Sequence, residues 1–358
     1  MPTASIQIGS NGAGRPVFRR THVNKDGRRV LLYSHAPYAG DPVSETLVRT
    51  AGTGELRWHP LRHEWNIYAP ARQDRTHKPD IAADPLAPGR PNGPPTEIPF
   101  ADFDLAIFEN RFPSLSGDRV DVSETGAQRR PASGRCEVVV YGPETEGSLA
   151  TLTHDRRRLL VAAWNDRYSE MFAAGREFVL PFENRGDEAG VTLHHPHGQI
   201  YAFDFVPAVQ AASERAFAAG FDLAARLRDW REDFEVMKAG GLSVFAPPFA
   251  RFPFELWIAS ETPRRGPWEY NPEELDAYAS LLGEVARRYD DYFGRPTPYM
   301  MSLHAAPRCA GAAFQFTTQF YPLLRSRDKV KFLASVEKAT GVFTVDVLPE
   351  QTAKELRR

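Results

Sequence analysis

The sequence predicts an α+β fold in which one unit is used twice. Three observations carry this. Short β-branched and aromatic runs recur along the chain, separated by Gly-, Pro- and Asp-containing turns. Each half holds one helical stripe: Leu160, Trp164, Tyr168 and Met171 in the first, and Leu275, Tyr278, Leu282, Val285 and Tyr289 in the second. Each half also runs strand, Phe-Pro turn, strand, helix and two strands, with Phe112-Pro113 matching Phe252-Pro253. Three segments follow: residues 1–53 as an N-terminal extension and hairpin, 54–207 as the first unit, 208–358 as the second. Only the first unit keeps a His-x-His, so the second is expected to provide scaffold or substrate contacts.

In chain order, residues 1–17 contain Gly and Ser and are expected to be loose. Residues 21–33 form a hairpin turned by Asp26-Gly27 and ending in Val30-Leu31-Leu32-Tyr33. A short strand at 65–70 precedes the basic stretch 71–79. The Pro- and Gly-dense residues 83–99 predict an irregular surface loop. A strand ending in a polar turn follows at 104–113 and another strand at 136–141, around a loose polar insertion at 116–134. Helical spacing over 153–174 precedes a strand at 178–184. Residues 208–238, rich in Ala, Arg and Glu, read as helix, and 252–259 as strand. Asn271-Pro272-Glu273-Glu274 is a helix start, with Asn as N-cap, Pro at the first position and Glu at the third. Strands at 299–304 and 314–320 and a last helix near 349–357 close the chain.

The 358 residues can bury one large core or two coupled ones. A net charge of −2 gives no reason to expect nucleic acid or a membrane as partner, so an anionic substrate must be met by local basic groups. Two cysteines, Cys136 and Cys309, with no CxxC pair argue against a disulfide framework or a thiolate knuckle. The first thirty residues hold no apolar core of signal-peptide length, and no run approaches a membrane span. Cytoplasm is the expected setting.

The chemistry concentrates at His194-His195-Pro196-His197-Gly198-Gln199. Three histidines in four positions point to metal ligation or to covalent catalysis, and the flanking residues favour the second. Residues 200–203 read as a buried strand, and Pro196 and Gly198 break regularity just before it. His197 is therefore expected at the mouth of a strand. Pro196 locks the backbone between His195 and His197, and Gly198 is expected to let a ligand approach the main chain. Imidazole titrates near neutral pH, so His197 can attack phosphorus as a neutral nucleophile. A neighbouring carbonyl would hold its other nitrogen, and the Gln199 amide would donate to a phosphoryl oxygen. The plainer reading of His197 is a structural histidine at a strand end. For His195 an orienting role through its backbone is preferred to a metal-ligand role, and His194 reads as exposed and incidental.

His195-Pro196-His197-Gly198-Gln199, preceded by Phe182-Glu183-Asn184-Arg185-Gly186, resembles the galactose-1-phosphate uridylyltransferase family of the histidine-triad superfamily. The resemblance extends in order through Arg57-Trp58-His59-Pro60-Leu61, Ala69-Pro70-Ala71-Arg72-Gln73-Asp74-Arg75, Phe108-Glu109-Asn110-Arg111-Phe112-Pro113, Tyr321-Pro322-Leu323-Leu324-Arg325-Ser326 and the segment from Lys331 to Glu337. It covers roughly residues 54–357. It implies two histidine-triad-like units forming one large antiparallel half-barrel sheet flanked by helices, in a homodimer with shared active sites. It implies a ping-pong reaction in which His197 takes UMP from UDP-glucose and passes it to galactose 1-phosphate. Carried over by position, Arg72, Arg75, Asn184, Thr192 and Gln199 would meet phosphates, Asn110 and Arg111 the uridine, and Gly190 would contact substrate. Lys331, Phe332 and Glu337 would reach the neighbouring subunit's ligand.

The sequence departs from the family at its metals. Many members bind zinc through a CxxC pair and two histidines, but here the matching stretch is Asp84-Pro85-Leu86-Ala87, and Thr145 stands at one histidine position. Only His195 remains, and one imidazole does not hold structural zinc. At the iron site of some members, Ser213, His304, Thr317 and Gln319 leave one ligand. The expectation is a homologue without metal or other cofactor. Competing readings are a transferase or phosphorylase using an ADP-glucose-type donor, a dinucleoside polyphosphate or another sugar 1-phosphate, a hydrolase of the enzyme–nucleotide intermediate, and a non-catalytic nucleotide-sugar-binding protein.

Overall fold

The computed structural model describes residues 4–49, 54–74, 79–80, 83–117, 126 and 128–357. The N-terminal strands are β1 (Ile6–Ser10), β2 (Pro16–Val23) and β3 (Arg29–Ser34). Strands β4 (Glu55–His59) and β5 (Glu64–Tyr68) form a hairpin that pairs with β7 (Arg129–Pro131) in a small separate sheet. The first unit continues with β6 (Leu105–Glu109), β8 (Gly134–Val140), helix α1 (His154–Ala173), β9 (Phe178–Arg185) and β10 (His197–Phe203). Helices α2 (Ala208–Ala218), α3 (Leu223–Asp229) and α4 (Arg231–Phe234) lead into β11 (Glu235–Ala239), β12 (Leu242–Phe245) and β13 (Leu256–Ser260). Helix α5 (Pro272–Phe293), β14 (Tyr299–His304) and β15 (Thr317–Pro322) complete the second unit. A small hairpin, β16 (Leu324–Ser326) with β17 (Lys329–Val330), and helices α6 (Ser335–Thr340) and α7 (Pro349–Leu356) follow.

Twelve strands make one antiparallel sheet in the order β1-β2-β3-β6-β8-β10-β9-β14-β15-β13-β12-β11. The duplication is visible in that order. Read outward from the β9–β14 junction, one side runs β9-β10-β8-β6-β3 and the other β14-β15-β13-β12-β11. Helix α1 connects β8 to β9 just as α5 connects β13 to β14, and the two Phe-Pro turns follow the equivalent strands β6 and β12. Both helices lie on one face of the sheet and pack together, with Arg157 Nε donating to the Ala279 carbonyl (2.8 Å). The predicted stripes are buried there: Leu160, Trp164 and Tyr168 share one apolar cluster with Tyr278, Leu282, Val285 and Tyr289. The Asn271 start is a full capping box, in which the Asn271 side chain accepts from Glu274 N–H (2.9 Å) and Glu274 returns a bond to Asn271 N–H (2.8 Å).

The loop 83–99 is irregular, but it does not stay on the surface. Leu86 and Ile98 are buried with Phe100 against the opposite sheet face, where Val30, Leu32, Phe108 and Val138 point. Side chains alternate along a strand, so β3 sends Leu31 and Tyr33 to the helices and Val30 and Leu32 to this loop. That double burial is why the loop forms a second core layer. Two further expectations change. Residues 6–10 pair with β2 and are not loose. The stretch 208–238 breaks into three short helices, and residues 235–238 belong to β11, paired with β12. Its Ala-, Arg- and Glu-rich composition favours helix locally, and strand pairing overrides it.

Candidate active site

The His motif is positioned by β10, which enters the sheet at His197 itself and pairs with β8 and β9. Along this strand Ile200 and Ala202 face the helix-side core. His197 and Gln199, offset by one residue, therefore share the opposite face. That face opens on a pocket whose apolar wall is Leu86, Phe108, Val138 and Leu193, and whose polar groups include Arg72, Thr192, His197 and Gln199.

His197 Nδ1 lies 2.8 Å from the carbonyl oxygen of His195. A carbonyl only accepts, so Nδ1 carries the hydrogen, and Nε2 keeps its lone pair. Burial pushes the His197 imidazole below its usual value. The neighbouring His195 ring pushes the same way, and the hydrogen bond to its carbonyl and the Asp84 charge oppose the shift. The neutral, nucleophilic ring is thus favoured near pH 7. His195 is fully buried, with Nδ1 2.7 Å from Asp84 Oδ2 and Nε2 2.8 Å from the Gly142 carbonyl oxygen. His194 is exposed.

Gly198 has a different reason from the one expected. A Cβ there would stand 2.7 Å from Tyr141 Oη and 3.0 Å from the Phe182 carbonyl oxygen. Glycine is required by the sheet packing behind the strand, not by a ligand's approach. The Tyr141 hydroxyl donates to Glu183 (2.7 Å), which also accepts from Tyr299 (2.9 Å). Burial raises the Glu183 carboxyl, with the two phenolic hydrogen bonds and Arg185 opposing.

The structure brings several other expected residues to the pocket. Arg72 donates to the Phe112 carbonyl (2.9 Å), which fixes its side chain against the pocket wall. The Asn110 side chain accepts from Phe112 N–H (2.8 Å), closing the turn after β6. Arg111 stacks over the Phe112 ring (4.7 Å) and pairs with Glu97 (3.3 Å), which also accepts from Arg28 (2.7 Å). Glu97 lines the pocket and was not anticipated, because its partner Arg28 is 69 residues away in sequence. Asp84 was also missed. Its place in the stretch Asp84-Pro85-Leu86-Ala87 was the available signal, but that stretch read only as lost ligands.

Other expected residues lie outside this pocket's lining. Asn184 is half-buried on β9, two residues beyond Phe182, which pairs with Gln199, so it faces the same side. Gly190 is exposed with φ 74° in the loop leading to Thr192. Lys331 and Glu337 are buried and bonded to each other (3.0 Å), and Lys331 also donates to the Thr344 carbonyl (2.6 Å). Phe332 beside them is 75% exposed. Arg75 lies outside the described residues. At the iron-site positions His304 is half-buried, its Nε2 2.8 Å from Ser302 Oγ and its Nδ1 3.4 Å from Gln210 Nε2.

The profile of the galactose-1-phosphate uridyl transferase N-terminal domain matches residues 48–207. A galactose-1-phosphate uridylyltransferase of Thermotoga maritima is 35% identical over 316 residues, covering 85% of this chain and 98% of that protein. The Streptomyces lividans enzyme of that name is 35% identical over 355 residues, covering 93% and 95%. A solved uridylyltransferase structure superposes with a TM-score of 0.77 at 28% identity, over 85% of this chain and 97% of that one. The duplicated antiparallel sheet and the histidine at the mouth of β10 define an enzyme of the histidine-triad superfamily. Within that class, the chain belongs to the galactose-1-phosphate uridylyltransferase family.

Proposed function

We propose that this protein moves UMP from UDP-glucose to galactose 1-phosphate through a covalent uridylyl-His197 intermediate. The observation that carries this reading is the lock on His197. With Nδ1–H bound to the His195 carbonyl, the Nε2 lone pair is the free nucleophile beside a pocket holding Arg72, Thr192 and Gln199. Nε2 forms a bond to the α-phosphorus, and the bond from that phosphorus to the oxygen bridging the β-phosphate breaks. Glucose 1-phosphate leaves with the electron pair. A phosphate oxygen of galactose 1-phosphate then attacks the same phosphorus, and the P–N bonding pair returns to Nε2. No external proton or metal is needed for this balance. Arg72 offsets negative charge, and the Gln199 amide donates to an oxygen as charge develops there.

The zinc implied by the family resemblance does not fit the residues present. Both thiolates are replaced, and each ring nitrogen of His195 already meets an oxygen partner, Asp84 or Gly142. A ring so engaged offers a metal no lone pair. Among the described residues no three His, Cys, Asp or Glu side chains converge as a metal site. A homodimer is part of the same reading, supported by exposed Phe332, Val336 and Val342 around the Lys331–Glu337 pair. Sedimentation giving a monomer at micromolar concentration would remove it. A cytoplasmic setting accords with Cys136 and Cys309, both free thiols. Among the described residues no helix is long and apolar enough to cross a membrane.

Incubation with UDP-glucose labelled at the α-phosphorus tests the activity. An acid-labile, base-stable adduct on His197 is expected, and its label should pass to galactose 1-phosphate. No adduct with any nucleotide-sugar would sink the reading, and an adduct with ADP-glucose alone would move it to an ADP-sugar donor.

A further inference from the structure

We propose that Asp84 is a positioning residue that fixes the His197 nucleophile through His195, in the place where family resemblance puts a metal-binding cysteine. The geometry forms a chain of three contacts. Asp84 Oδ2 lies 2.7 Å from His195 Nδ1, the far side of that ring is held by the Gly142 carbonyl (2.8 Å), and the His195 backbone carbonyl holds His197 Nδ1 (2.8 Å). Pro196 lies between the two histidines with its φ restricted, and its carbonyl accepts from Tyr141 N–H (3.3 Å). A displacement of the His195 ring therefore moves the peptide that selects the His197 tautomer.

The other carboxylate oxygen faces the substrate side. Asp84 Oδ1 accepts from Leu86 N–H (2.9 Å) and closes a turn, and the next residue, Pro85, accepts from Glu97 N–H (2.8 Å). Pro85, Leu86 and Glu97 all line the pocket. One carboxylate thus joins the pocket wall to the mount of the nucleophile. A metal would cross-link the same two segments, residues 84–87 and His195. Here the cross-link is a hydrogen bond, with the His195 side chain fully buried and that of Asp84 10% exposed. Partners that orient a metal-bound imidazole commonly cost about 10–100-fold in affinity or activity when lost, and the same order is expected for a partner that orients the mount of His197.

Asp84→Asn separates the two arms. The amide oxygen can still accept from Leu86 N–H, so the turn is kept, while its NH₂ group replaces the carboxylate oxygen facing His195. The transferase reading is needed only for the rate arm of the test. Rapid-quench formation of uridylyl-His197 is expected to slow by about 10–100-fold in Asp84→Asn, with the KM for UDP-glucose little changed. A raised KM with an unchanged rate in Asp84→Asn would overturn the proposal. So would about one zinc per chain in the wild-type protein, if its removal slowed the reaction as Asp84→Asn does. A second readout needs no turnover. In full-length protein carrying ¹⁵N-histidine, the His197 Nδ1–H signal should exchange with water at least about tenfold faster in Asp84→Asn, the factor that a 1.4 kcal/mol weaker hold produces. Unchanged exchange overturns the proposal whether or not the protein transfers UMP.

Discussion

At the scale of single residues, the site depends on which nitrogen of His197 is free. Its imidazole lies below the usual value of about 6.5, chiefly through burial. Protonating Nε2 removes the nucleophile, so activity is lost as pH falls. Because the value is lowered, the acid limb of kcat/KM for UDP-glucose should lie below pH ~6.5. A limb centred above that pH would contradict the burial argument. Gln199 shares the strand face of His197, and in the proposed mechanism its amide donates as charge gathers on a phosphorus-bound oxygen. Gln199→Ala should therefore lower kcat by about 10²–10³-fold with little change in KM, measured by steady-state kinetics with both substrates. An effect confined to KM would make Gln199 a ground-state contact.

At the scale of elements, α1 and α5 together cover the helix-side face of the sheet. Trp164 is buried in their shared cluster with Tyr168 and Leu282. Trp164→Ala should cost about 3–5 kcal/mol in urea unfolding, since the cavity cannot fully collapse beneath two packed helices. The Asn271 capping box is a separate and smaller contribution. Asn271→Ala should cost about 0.5–2 kcal/mol, with no change in the rate of His197 uridylylation, because α5 packs on the face of the sheet opposite His197. A loss of rate at full stability would show that α5 acts on the site beyond its packing.

At the scale of the whole molecule, the second unit matches the first in topology but not in chemistry. Its half-buried His304 is pushed down to about 4, mainly by burial and further by Arg251. A folded value below the unfolded one means the unfolded chain binds the extra proton first. Stability is then full above pH ~6.5 and falls as the pH drops towards 4, by up to about 3 kcal/mol from this group. Urea midpoints across that range test the sign. His304→Gln should flatten the part due to this residue, and an unchanged slope would place the acid sensitivity elsewhere.

Much of this was legible in the sequence because it is written in local spacing. The two helical stripes, the Asn271 cap, the strand begun by His197 and the pairing of His197 with Gln199 two positions on all depend on neighbours within one element. The internal repeat was legible too, since both Phe-Pro turns mark the same step of one plan. What the sequence left open depends on contacts between distant segments. Residues 235–238 read as helix until a strand partner was supplied. Residues 83–99 read as surface until the doubly buried β3 drew Leu86 and Ile98 onto the sheet. Glu97 lines the pocket paired with Arg28, 69 positions away, and Asp84, read as a lost ligand, became a partner of His195 111 positions away. Local periodicity thus determined the elements and the strand face that carries His197. Burial and hydrogen-bond satisfaction, which arise only when remote segments share one desolvated space, decided what holds that nucleophile in place.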